Sequence, residues 1–213
     1  MTELVYLAPN TREPYTTSEI IADCAQVAHH AVQQMISRYE NDFRAFGLLA
    51  FEMRAVERAR GVKYAKIYHL NEQQATLLMT YLRNTEVVRA FNLELVRQFY
   101  LMRMELQRVQ AVKEQRRPIR RSVTDAIKAL PESPHKSMKY AHYTNLAYRA
   151  ALGMTARQTR EARNAPANAV ASDYMTSAEL EAVADAENRI AVLLEAGLDY
   201  AQIKQALLAR RES

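Results

Sequence analysis

The sequence predicts a mainly α-helical protein interrupted by one β-hairpin, and three observations carry that prediction. Gly and Pro are scarce, 4 and 6 in 213 residues, which leaves little material for tight turns. Ala, Leu, Glu, Gln, Arg and Met, the strongest helix formers, are plentiful. Thr, Ser, Asn or Asp recurs just ahead of apolar runs, often with Glu or Gln three residues later, the signature of a helix start.

Residues 4–7 read as an extended arm or short strand, followed by a turn bracketed by Pro9 and Pro14. In Thr16-Thr17-Ser18-Glu19 a Thr stands three residues before Glu19, a capping box that opens a short helix ending near Ala25. Ile20, Ile21 and Cys24 lie on its core face. After a brief turn, a second helix is predicted over about Ala28–Tyr39, with Val32, Met35, Ile36 and Tyr39 on one stripe. Two short helices so separated form a helix-turn-helix pattern. The period then drops to two. Phe51, Met53 and Ala55 alternate with Glu52 and Arg54, and Tyr64, Lys66 and Tyr68 alternate with Ala65 and Ile67. That rhythm predicts a β-hairpin over about residues 49–69 with Gly61 in its turn. Its tip is basic, with Arg54, Arg58, Arg60, Lys63 and Lys66 against Glu52 and Glu57. A hairpin directly behind the second helix stands where a wing would.

Asn71 with Gln74 opens a further helix whose apolar positions, Ala75, Leu77, Leu78 and Leu82, nearly encircle it, so burial is expected. Thr85 caps the next, expected to reach about Gln115. Along it Val88, Phe91, Leu95, Phe99, Met102, Leu106 and Val109 recur at an average of 3.5 residues, the seam of a coiled coil. Self-association into a homodimer or higher homo-oligomer is therefore expected through Phe91, Leu95, Phe99, Met102, Leu106 and Val109; the alternative is one long helix packed along its own domain. Pro118, set among Lys113, Arg116, Arg117, Arg120 and Arg121, is expected to break or kink that helix. The division that follows is a winged helix-turn-helix domain at 1–104, a basic helical linker at 105–121 and a small C-terminal helical domain at 122–213. In the last, helices open at Ser122, about Ser137, Thr155, Thr176 and Asp199, with residues 164–173 loose between them.

Charge is unevenly spread. Residues 1–104 hold 12 Lys/Arg against 11 Asp/Glu, residues 105–163 hold 13 against 5, and residues 164–213 hold 4 against 8. A basic middle suggests a polyanion contact or an internal electrostatic partnership. The single cysteine, Cys24, excludes an intramolecular disulfide and reads as a small buried hydrophobe. No leader-like apolar run opens the chain and no stretch approaches the ~20 apolar residues that span a bilayer, so a cytoplasmic location without membrane contact is expected. No GxGxxG, P-loop, GxSxG or HExxH is present. The histidines His29, His30, His69, His135 and His142 come without CxxC or a carboxylate set. Neither enzyme activity, cofactor nor metal is expected.

Four stretches, TTSEIIA (16–22), HHAVQQMI (29–36), YHLNEQQATLLMTYLRNTEVV (68–88) and FNLELVRQFYLMR (91–103), resemble the Rha family of phage regulatory proteins. The likeness covers nearly half the chain and implies a phage or prophage regulator with a DNA-binding fold, working in a bacterial host. Residues 118–163 more loosely resemble C-terminal domains of phage antirepressors, through Arg120–Lys128 and the Tyr-rich run Tyr140–Tyr148.

Two functions follow. As a DNA-binding regulator of a phage control region, the chain would place its second helix in the major groove, with His29, His30, Gln33, Gln34 and Arg38 at base edges or phosphates. Arg54, Arg58, Arg60, Lys63 and Lys66 would grip the duplex backbone, and Thr17 and Ser18 would add phosphate contacts. As an antirepressor, it would instead capture a phage repressor by protein–protein contact, with Tyr140, Tyr143 and Tyr148 as candidate anchors; the alternative is that they are core tyrosines with their hydroxyls at the surface.

Overall fold

The computed structural model describes residues 3–8, 11–58, 61–132 and 136–209, with side chains at all of these except 56–58, 61–63 and 136–137. The chain is mainly helical, with one small four-stranded antiparallel sheet near its N-terminus, and it divides into two compact units, Met1–Met104 and Glu105–Ser213.

In the first unit, β1 (Tyr6–Leu7) and β2 (Pro14–Thr17) lead into α1 (Ser18–Cys24), α2 (His29–Arg38) and α3 (Glu40–Arg44). The long hairpin of β3 (Ala50–Arg58) and β4 (Gly61–Asn71) follows, then α4 (Glu72–Tyr81) and the start of α5 (Glu86–Ala129). The sheet order is β1-β2-β4-β3. The expected turn before α1 is thus partly a strand. Thr16 pairs with Leu70 and Thr17 with His69, which carries the extended backbone one residue further than the Thr16 cap required. The cap of α1 is Thr17, whose Oγ1 accepts from Ile20 N at 3.2 Å, while the Thr16 side chain is buried. The short α3 was not foreseen, because five residues are too few to show a period.

The turn joining α1 to α2 has a specific construction. Val27 N donates to Ala22 O at 2.9 Å and Gln26 N to Asp23 O at 3.2 Å, with Gln26 at φ +55°. This is a Schellman ending, made with Gln where Gly would be less strained. It turns the chain sharply enough for Ile21 of α1 and Val32 and Ile36 of α2 to enter one core with Phe43, Leu70 and Leu78. Asn71 and Gln74 form the expected capping box of α4. Ala75 and Leu78 of that helix are buried and Leu77 and Leu82 pack partly buried on the same core, as expected, while Thr76 and Thr80 form an exposed strip.

Thr85 Oγ1 accepts from Val88 N at 3.2 Å at the start of α5. Val88, Phe91, Leu95 and Phe99 of the heptad are buried, and the last three lie in the core of their own unit, with Met102 packed beside them. The helix does not stop at Pro118 but continues to Ala129, so the expected break there, and the separate helix expected from Ser122, are absent. Pro118 lacks the N–H that would bond the carbonyl of Glu114. Both residues are on the exposed side, where water can satisfy that carbonyl, while Val112, Arg116 and Ile127 hold the opposite side in the second unit.

The second unit comprises residues 105–129 of α5, α6 (Lys136–Leu152), α7 (Ala156–Ala162), α8 (Ser177–Glu195) and α9 (Tyr200–Leu208), with a 3-10 turn at Ala171–Tyr174. Capping boxes at Thr155/Gln158, Thr176/Glu179 and Asp199/Gln202 open the last three helices. Gly153 and Gly197, at φ +76° and +82°, end α6 and α8 where a side chain would be strained. Tyr143 and Leu146 of α6 pack with Ile127, Ile190 and Ile203 in one apolar cluster; Val112, Tyr148, Leu180 and Val183 share another. Of the two readings of these tyrosines, the core one applies to Tyr143 and Tyr148, and Tyr140 is half-buried against the Tyr143 cluster, so none of the three is an exposed aromatic anchor.

Candidate nucleic-acid interface

The candidate surface is built on α1, α2 and the β3–β4 hairpin, and its rigidity begins at Ser18. The side chain is fully buried. Its Oγ accepts from Tyr68 N at 3.0 Å and lies 2.9 Å from His29 Nε2. With Tyr68 N donating to it, the hydroxyl has its own proton left for His29 Nε2, so one oxygen ties the first residues of α1 and α2 to β4. Thr17 is committed to capping α1. Thr17, Ser18 and His29 thus have internal partners.

A second tie fixes the rotation of α2. Gln33 Nε2 donates to the Lys66 carbonyl of β4 at 2.6 Å. With Val32 and Ile36 buried and Gln33 held, the outward face of α2 carries His30, Gln34 and Arg38. These stand at i, i+4 and i+8, one above the other along a single stripe. Arg38 also lies over the ring of its neighbour Tyr39, 5.6 Å from the centroid.

On the hairpin, the pleat separates two faces. One holds Phe51 opposite Tyr68, Met53 opposite Lys66 and Ala55 opposite Tyr64. Phe51, Met53 and Tyr64 are each more than half exposed. Lys66 Nζ stands 4.0 Å from the Phe51 centroid and 4.6 Å from that of Tyr68, a cation–π arrangement that holds the ammonium against the strand. The other face holds Glu52 and Arg54. Arg54 bridges Glu52 at 2.6 Å and Glu19 of α1 at 2.5 Å. The Glu52 hydrogen bond, which outweighs its slight burial, pushes the guanidinium above its ordinary value, with Glu19 adding to it. Its charge is locally neutralised. The side chains of Arg58 and Lys63, and Arg60 altogether, lie outside the described residues.

The alternation that predicted the hairpin already grouped Phe51, Met53 and Tyr64 on one side. Whether that side met the core or solvent depended on what packs against the sheet, and no local signal carries that. Among the described residues, no group of three His, Cys, Asp or Glu could hold a metal ion. His135, one of the histidines considered, lies outside them. No helix among them is long and apolar enough to cross a membrane.

No curated protein matches the chain. Residues 16–104 match the family model described as phage regulatory protein Rha, and the match ends at Met104, where the first compact unit also ends. That span takes in both short helices, the hairpin, α4 and the first part of α5. The chain therefore carries a domain of the phage regulatory protein Rha family, a regulatory and not an enzymatic family, at residues 16–104.

Proposed function

We propose that this regulator binds double-stranded DNA of a phage control region, with α1 and α2 as a helix-turn-helix, α2 in the major groove and the β3–β4 hairpin as a wing. One observation supports this above others. Gln33 and Ser18 clamp α2 to the sheet, and the stripe they leave outward, His30, Gln34 and Arg38, consists of side chains suited to base edges and phosphates. Gln34 can address adenine with two hydrogen bonds, and Arg38 can neutralise a phosphate or pair with guanine.

The test is a titration of the full chain with control-region fragments at two salt concentrations, comparing Gln34→Ala and Arg38→Ala with the parent. Gln34→Ala is expected to cost about 1–3 kcal/mol of discrimination at one base position. Arg38→Ala is expected to lower the salt slope by about one. Binding no tighter than to random DNA would sink this reading.

A second reading, capture of a phage repressor protein, is favoured by the hairpin. A surface that carries Phe51, Met53 and Tyr64 to solvent, with Arg54 held by two carboxylates, is better suited to an apolar partner than to phosphate. Phe51→Ser with Tyr64→Ser would then abolish a repressor complex that salt leaves nearly unchanged.

A further inference from the structure

We propose that the outward face of α5 in the first unit, centred on Leu93, Val96 and Tyr100, is where a second copy of this chain docks, helix against helix and antiparallel.

The helix is apolar on two opposite sides. Inward, Phe91, Leu95 and Phe99 are consumed by the core of their own unit. Outward, Leu93 is 75% exposed, Tyr100 56%, and Val96 and Leu101 51% each. A surface helix ordinarily turns charged and polar residues to water, and an all-round apolar helix is one that is covered. Leu93, Val96 and Tyr100 follow at steps of three and four, so they form one continuous ridge along two turns. The Phe91–Met102 part of the heptad legible in the sequence is thus the seam to the core of the first unit. The contact surface is on its back.

Self-complementarity favours a second copy as the occupant. A two-fold axis near Val96 sets Leu93 of one copy beside the partner's Tyr100, and the reverse, in an isologous contact. The same axis sets Arg97 against the partner's Glu94. Within one chain those two groups make only a loose contact, 3.9 Å apart, with the Arg97 side chain 59% exposed, which leaves Arg97 able to reach across. Arg103, brought by this axis towards the partner's Arg89, is already neutralised by Glu72 at 2.5 Å. The exposed parts of Leu93, Val96 and Tyr100 supply somewhat less than half of the ~800 Å² per partner of a standard interface. The stems of Arg89 and Arg97 extend it, so a dimer dissociating at about micromolar concentration is expected. This inference goes beyond the proposed DNA reading and stands without it.

The test is analytical ultracentrifugation of the full chain over about 1–100 µM, with circular dichroism to confirm that each variant is folded. The parent should pass from monomer to dimer across this range. Leu93→Glu, at an exposed position, should raise the dissociation constant about 100-fold or more, since each substitution counts twice in a two-fold contact. Arg97→Glu should weaken the dimer, and Arg97→Glu with Glu94→Arg should restore it. Val96→Cys should form an intermolecular disulfide on oxidation. A chain that stays monomeric throughout overturns the proposal. So does a dimer indifferent to Leu93→Glu, which would place the contact elsewhere.

Discussion

Arg116 and Glu187 form a buried, two-pronged ion pair inside the second unit: Nε lies 2.7 Å from Oε2 and Nη2 lies 2.7 Å from Oε1. Their side chains are 5% and 4% exposed. Arg120 adds a contact to the same carboxylate at 3.3 Å, and the Arg116 guanidinium lies 6.0 Å from the Tyr148 ring centroid. Burial alone would lower the Arg116 guanidinium; the Glu187 hydrogen bonds outweigh it and raise it. Part of the basic excess at 105–163 is therefore answered internally by the acidic α8.

This pair predicts an asymmetric mutational response. Glu187→Ala strands a buried guanidinium and should destabilise the chain by about 3–5 kcal/mol. Replacing both partners by Met removes the charges together and should cost far less, or stabilise. Urea denaturation followed by circular dichroism would measure both. A double variant as unstable as the single would show that α8 depends on the pair for its placement.

Ser18→Ala removes an oxygen that serves Tyr68 N and His29 at once. It should cost about 1–3 kcal/mol, the range for leaving a buried polar group unsatisfied. A thermal midpoint unchanged from the parent would mean that the hub contributes nothing to joining α1, α2 and β4.

Pro118→Ala should stabilise. Proline is about 3 kcal/mol less favourable than alanine inside a helix, and here the helix persists around it. A gain of about 1–3 kcal/mol in a urea titration is expected. A loss would indicate that the local geometry imposed by the ring is needed by the helices packed on α5.

Tyr143 carries a pH dependence. Burial pushes its hydroxyl above the ordinary tyrosine value, and Tyr200 and Asp199 add to the shift. A raised value means that the folded state holds the proton more tightly than the unfolded chain does. That contribution is fully present at neutral pH and is lost as pH rises through the ordinary tyrosine range, about 10, towards the raised value. Tyr143→Phe should make the alkaline loss of stability shallower; equal slopes for parent and variant between about pH 9 and 11 would refute this.

Local chemistry made much of this protein legible in its sequence. Asn71/Gln74, Thr155/Gln158, Thr176/Glu179 and Asp199/Gln202 were all readable as helix starts, because a capping box involves only residues three apart. The hairpin was readable too, because the pleat imposes a period of two. Where the local signal was ambiguous, longer contacts decided. Thr16 read as the cap of α1 from its spacing to Glu19, but pairing of β2 with β4 runs the strand through Thr17, which caps the helix instead. The α5 heptad defined an apolar seam but not what would lie against it; Phe91, Leu95, Phe99 and Met102 went to the core of the first unit and Val109 to a cluster of the second. Arg54 was one wing cation among five until Glu19, 35 residues away, engaged it. The charge asymmetry left a polyanion contact and an internal partnership both open, and no local pattern named Arg116 and Glu187, 71 residues apart, as the pair that forms. Caps, periods and turns are properties of a few neighbouring residues and survive in any fold containing them. Which apolar face is covered, which cation is paired and whether a helix outlasts its proline depend on free energies of contacts that exist only once distant segments have met.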